Sequence, residues 1–214
     1  MVLIDESNPS GLKQKEETKK MNEIKNQAIH EYLQWEKALA IKVYSSHSKK
    51  SQILYFKLVT TFGSPGLWWI IMSIFLFYGI FLDRWYEYAS FSGAYVFTMP
   101  IYLIVKAAVR RKRPFKVHEE IAPRGRAEAG ASFPSGHSTF GALLYSYIGL
   151  FYFGGGLIMI PLFLMTLYIG YTRMVLGVHY LSDVIIGVLY GFTMGILYHF
   201  FMHAIWIDFV YEIF

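Results

Sequence analysis

The sequence predicts an all-α fold: a polytopic membrane bundle of about five transmembrane helices, preceded by an N-terminal amphipathic interfacial helix. Three observations carry this expectation. The 214-residue chain is 55% hydrophobic and 19% aromatic. Only 16% of it is charged, where a soluble domain carries about 25%. The charges are also clustered, leaving uncharged stretches near the length of about 20 apolar residues that a helix needs to cross a bilayer.

Residues 1–30 are polar and lysine-rich, with "KQKEETKK" at 13–20, and read as a solvated tail. Residues 31–65 read as an amphipathic, interfacial helical segment. In "YLQWEKALAIKVY", apolar residues recur at helical spacing with charges between them, which suits a helix lying in the interface. A plain soluble helix fits the same residues. Nothing in the first 50 residues has the pattern of a secretory signal peptide.

Residues 66–207 are expected to form the transmembrane domain, with 208–214 a C-terminal tail. "FGSPG" at 62–66 is a turn signal. "LWWIIMSIFLFYGIFL" at 67–82 is uncharged and spans if Trp68, Trp69 and Trp85 sit at the interfaces. "YASFSGAYVFTMPIYLIV" at 88–105 follows, and 107–135 is a polar, basic loop. Ser138 to Thr172 carries no charge and is too long for one span, so "GGG" at 154–156 divides it into two. Val184 to Ile207 makes the fifth.

Five spans place the N-terminal tail, the loop 107–135 and the connection 173–183 on one face. Of the 20 Lys and Arg residues only Arg84 falls on the other. The positive-inside rule then makes the tail and the charged face cytoplasmic, in a bacterial inner membrane or the endoplasmic reticulum. The net charge of +5 suits an anionic membrane surface or a phosphorylated substrate. The apolar runs exclude nucleic acid as a partner. There is no cysteine, which removes disulfides and thiolate chemistry.

Three polar clusters converge on the charged face. In "KAAVRRKRP", Lys106 and Arg113 are seven apart, two helical turns on one side, with Pro114 ending the helix. Arg110, Arg111 and Lys112 leave that side and read as a positive-inside flank. In "PSGH", Ser135 is a good helix cap, and the free N–H groups of the helix start make an anion site. In "RMVLGVHYLSD", Arg173, His179 and Asp183 close one span and open the next. The four-residue spacing lets the carboxylate hold the imidazole in one tautomer.

The cations and donors suit phosphoryl oxygens. One histidine backed by an aspartate can attack phosphorus, and the other can protonate the leaving oxygen. No carboxylate cluster points to a metal, so no metal or other cofactor is expected. Each cluster alone also has a structural explanation: a charge flank, a capped helix start, a polar pair at an interface.

"K-x6-RP", "PSGH" and "R-x5-H-x3-D", in this order over residues 55–200, resemble the three signature motifs of the type 2 phosphatidic acid phosphatase (PAP2) superfamily of lipid phosphate phosphatases. The resemblance implies a helical bundle, metal-independent hydrolysis and a phosphohistidine intermediate. It implies that His179 is the nucleophile, oriented by Asp183, and that His137 is the general acid. Lys106, Arg113, Ser135, Gly136 and Arg173 would bind the phosphate, Gly136 through its backbone N–H. The third motif usually begins Ser-Arg and here begins Thr172-Arg173, which keeps the hydroxyl. Family members often have six spans, and one before "FGSPG" is missing here.

The tail, "LVTTFGSPGLWW" and "KAAVRRKRP" also resemble the shorter polyisoprenoid diphosphate phosphatases, which implies a polyisoprenoid diphosphate as substrate, with phosphatidate-like lipid monophosphates the other candidates. A lipid phosphotransferase and a non-catalytic lipid-phosphate scaffold are the alternatives. His199 and His203, four apart, fit a metal pair but are read as packing histidines, and His118, Glu119 and Glu120 as solvated loop. Gly187, Gly191 and Gly195 form a small-residue stripe for close helix packing, within the bundle or against a second copy.

Overall fold

The computed structural model describes residues 9–125 and 128–213. It divides into two compact units, Met1–Leu39 and Ala40–Phe214. Helix α1 (Pro9–Ser45) makes up the described part of the first unit and ends in the second. Its first unit carries the lysine-rich sequence as continuous helix, and the rings of Tyr32 and Trp35 lie 6.0 Å apart.

In the second unit the expected segment 31–65 is broken at residues 46–49, and α2 (Lys50–Thr61) follows. It packs along α6 (Met159–Val175), where the Phe56 and His47 rings meet Tyr171 edge-on. The "FGSPG" turn forms as expected. The Ser64 hydroxyl accepts from the Gly66 N–H (3.1 Å) and Pro65 opens α3 (Pro65–Leu82), the place where a missing N–H costs nothing.

Trp68 does not sit at an interface. It is fully buried, stacks 4.1 Å from Phe91, and donates its indole N–H to the Phe140 carbonyl (2.9 Å). Trp69 is exposed. Helix α4 (Trp85–Val109) runs back, with Pro100 inside it. It stops four residues before Pro114, with Arg110 in a left-handed conformation (φ 48°).

Helix α5 (Gly136–Phe151) lies between α3, α4, α6 and α7 (Leu181–Leu197), and none of its residues is exposed. The triple glycine divides the long uncharged run where expected, with all three residues at positive φ (67°, 77° and 74°). The glycine stripe of α7 faces α5. A Cβ on Gly191 would come within 2.1 Å of the Thr139 carbonyl oxygen, and one on Gly187 within 2.9 Å of that of Ser135. The stripe is therefore covered within the chain, the first of its two expected neighbours, and does not offer a free face to a second copy.

A π-helical turn (Tyr198–Met202) joins α7 to α8 (His203–Ile213), so the expected C-terminal tail is helical to its last described residue. His199 and His203 gather no third ligand: among the described residues no group of three potential metal ligands exists. His203 Nε2 lies 3.0 Å from the Ser90 hydroxyl, and both rings pack on Phe151.

Among the described residues, four helices are long and apolar enough to cross a membrane: Pro65–Leu82, Trp85–Lys116, Gly156–Val175 and Leu181–Glu212. The fifth expected span, α5, has 16 residues and is about 24 Å long at 1.5 Å per residue. It falls short of that length, and it packs against α3, α4, α6 and α7.

Candidate active site

Four chain segments meet at one end of the bundle: the exit of α4, the start of α5, the end of α6 and the start of α7. Their meeting brings the three sequence motifs together.

Arg113 follows the early end of α4. The proline after it favours an extended backbone, and its φ and ψ are −73° and 153°. Lys106 and Arg113 are therefore not two turns of one helix, as the spacing suggests. The chain breaks at Arg110 and Arg113 enters the site from a separate strand of coil. Its guanidinium is buried, donates to the Val178 carbonyl (3.2 Å), and lies 3.2 Å from His179 Nε2. Lys106 donates to the Tyr102 hydroxyl (2.7 Å), which lies against Gly136, 2.8 Å from where a Cβ would sit. Tyr102 thus holds the ammonium near the start of α5.

Ser135 caps α5, its hydroxyl accepting from the Ser138 N–H (3.4 Å). Its own N–H donates to the Asp183 carbonyl (3.0 Å), tying the α5 start to the α7 start. The first N–H groups of α5 have no acceptor within the helix. His137 sits in this first turn and lines a cavity of about 520 Å³ with Lys57, Thr60, Ser64, Glu128 and Arg173.

His179 is buried, with Nδ1 3.5 Å from Asp183 Oδ2. An arginine only donates, so Arg113 beside Nε2 requires a lone pair there and places the proton on Nδ1, facing the carboxylate. Burial pulls the imidazole pKa down to about 4, the hydrogen bond it donates to Asp183 opposing this in part. At neutral pH the ring is uncharged, with its free lone pair on Nε2.

Asp183 is itself held from three sides. It accepts from Arg111 Nη1 (2.9 Å), from the Tyr180 N–H (2.9 Å) and from the Ser132 hydroxyl. Arg111 also donates to the Ser182 hydroxyl (2.6 Å) and stacks on the Tyr180 ring, 4.0 Å from its centroid. It is a part of the site and not the membrane flank the sequence suggests.

Arg173, also buried, donates to the Thr60 hydroxyl (3.2 Å). Arg113 and Arg173 share one counter-ion, Glu128. Its Oε2 lies 2.9 Å from Arg113 Nη1, and its Oε1 accepts from Arg173 Nη2. Burial pushes the Glu128 carboxyl up, but the two guanidiniums together outweigh this and hold it down at about 2. The Nε atoms of both arginines are buried and without a hydrogen-bond partner.

Sequence reasoning misses Glu128, Ser132, Arg111 and Tyr102. Only Glu128 leaves a trace in the sequence, as the lone acid between Arg124 and Ser135 in a basic loop. His118, singled out in that loop, meets the Tyr180 hydroxyl (2.9 Å) instead, and Glu119 and Glu120 are exposed.

The PAP2 superfamily model matches residues 66–207. The chain belongs to the PAP2 superfamily. A Rhizobium etli protein named lipid A 1-phosphatase is 33% identical over 155 residues, 63% of this chain and 65% of that one. The chain thus spans just under two thirds of that relative's length. A Mycobacterium tuberculosis protein named decaprenylphosphoryl-5-phosphoribose phosphatase is 32% identical over 134 residues, covering 63% and 71% of the two chains.

Among solved structures, the PAP2-type phosphatidylglycerolphosphate phosphatase of Bacillus subtilis superposes with a TM-score of 0.65 at 20% identity, covering 87% of this chain and 90% of that one. LpxE of Aquifex aeolicus superposes with a TM-score of 0.59 at 24% identity, covering 75% and 92%. At these identities both establish the PAP2 membrane fold.

Proposed function

We propose that this PAP2 protein is a metal-independent lipid phosphate phosphatase, acting on a phosphate monoester or diphosphate of a membrane lipid. One observation carries the proposal: two buried arginines converge on a single anion beside an aspartate-backed neutral histidine, at the membrane-surface end of an apolar bundle. Arg113 and Arg173 are positioned to take phosphoryl oxygens, with Lys106, the Ser135 hydroxyl and the Gly136 N–H completing the cradle. The names of the relatives support phosphate carried on a lipid. A polyisoprenoid diphosphate and a phosphatidate-like monoester are the substrates to compare.

In the first step the His179 Nε2 lone pair forms a bond to phosphorus while the bond from phosphorus to the lipid oxygen breaks. Burial and the Arg173 charge hold the His137 pKa down at about 3 in the free site, so His137 takes up its proton only once the phosphate's negative charge offsets them, and then gives it to that oxygen. Asp183 holds the Nδ1 proton and balances the charge of the phosphorylated ring. In the second step a water oxygen attacks phosphorus, His137 takes the water proton, and the N–P bond breaks to release inorganic phosphate.

Phosphate release by detergent-purified protein in EDTA, with farnesyl diphosphate and phosphatidate in parallel, tests this. Release is expected from at least one, and none from His179→Ala. Turnover by His179→Ala equal to the parent would end the proposed mechanism.

A further inference from the structure

We infer that Glu128 is a built-in competitor for the phosphate seat: its carboxylate occupies the position of the substrate's phosphoryl group and is exchanged for it at each turnover. The inference rests on the phosphatase reading above, and extends it to what sets the affinity for phosphate.

The geometry is that of an anion bridging two cations. The two carboxylate oxygens are divided between Arg113 Nη1 (2.9 Å) and Arg173 Nη2. The arginine side chains are 3% and 5% exposed, whereas that of Glu128 is 30% exposed and borders the cavity shared with His137. The cations are fixed in the protein interior and the anion reaches them from the water side. Arg113 and Arg173 are anchored through other bonds, to the Val178 carbonyl and the Thr60 hydroxyl, so they keep their places when the carboxylate leaves.

Glu128 fits the seat incompletely. A carboxylate has two oxygens, and two guanidinium N–H groups, at Arg113 Nε and Arg173 Nε, stay buried without acceptors. A bound phosphoryl group offers three oxygens and up to two negative charges. It can meet donors the carboxylate leaves unmet, which lets it win the exchange. Lys57 borders the same cavity and gives the displaced carboxylate a cation to turn toward.

Two consequences follow for the reaction. The empty site never holds two buried unpaired cations, a costly arrangement. After hydrolysis, the returning carboxylate competes with inorganic phosphate for the same donors and so speeds its departure. Both act on binding and release, so Glu128 sets KM and product inhibition and takes no part in bond breaking.

The test is calorimetric titration of inorganic phosphate into the detergent-solubilised full chain, at fixed ionic strength. If the competent, carboxylate-out form is about a tenth of the population, Glu128→Gln binds phosphate about tenfold more tightly. Phosphate then also raises the melting temperature of the Gln variant more than that of the parent. Glu128→Asp, one methylene shorter, is expected to fall between the two, and decides the question should the Gln variant not fold.

Equal or weaker phosphate binding by both variants would overturn the inference and leave the phosphatase reading standing. No phosphate binding by any form, with no phosphate released from either lipid, would overturn both.

Discussion

His179 is surrounded by charge yet is itself uncharged. Burial holds its pKa at about 4, below the ordinary 6.5, so protonation is opposed in the folded protein. The Nε2 lone pair that the proposed mechanism needs therefore stays available from neutral pH down to about pH 4, and is lost only as pH falls through that value. The same shift withdraws stability, because the unfolded chain takes up the proton between 6.5 and 4 and the folded chain does not. NMR titration of the His179 ring nitrogens is expected to give a midpoint near 4, and a midpoint near 6.5 would refute this electrostatic account. The residues that bring about this environment were unevenly legible. Lys106, Arg113, Ser135, His137, Arg173, His179 and Asp183 stand in compact motifs. Ser132, Arg111 and Glu128 reach the site through coil, where no periodicity tells which way a side chain turns. Arg111 was hidden further, because reading "KAAVRRKRP" as one helix to Pro114 turned it away from Lys106 and Arg113. The left-handed Arg110 undoes that geometry.

At the scale of elements, helix starts were legible where glycine, proline or a capping serine marked them, whereas Pro114 misled as to the end of α4. "FGSPG", "PSGH" and "GGG" all fall where α3, α5 and α6 begin. Partnerships between helices were not, because a stripe such as Gly187, Gly191 and Gly195 specifies a close neighbour without naming it. The neighbour is α5. Contact is tight enough that Gly191→Leu must part the two helices, since even a Cβ would lie 2.1 Å from the Thr139 carbonyl oxygen. The expected cost is about 1–3 kcal/mol, from overpacking. Because Ser135 and Asp183 are joined across the same pair of helices, turnover should fall as well. Melting in detergent measures the first and phosphate release the second. A variant as stable and active as the parent would show that α5 and α7 do not pack this closely.

For the whole molecule, alternating passages put the loop containing Glu119 at the catalytic end and the turn containing Arg84 at the other. By the positive-inside rule, the clustering of basic residues at that end leads us to expect it on the cytoplasmic side. The chain has no cysteine, so Glu119→Cys and Arg84→Cys each introduce a single thiol. Both positions are exposed. An impermeant maleimide applied to intact cells should label Cys at 84 and reach that at 119 only after the membrane is opened. The reverse pattern would place the catalytic end outside.

The enclosure of α5 separates two tasks that one membrane helix usually combines. Helix α3 presents Ile70, Ile74, Phe77 and Phe81 outward, and these positions ask only for apolar bulk. It can tilt or drift in sequence to suit a thicker or thinner bilayer at small cost. Helix α5 exposes none of its residues, and ten of its 16 positions are buried against a neighbour. Adaptation to a new membrane can therefore proceed on the outer helices while the catalytic helix stays as it is.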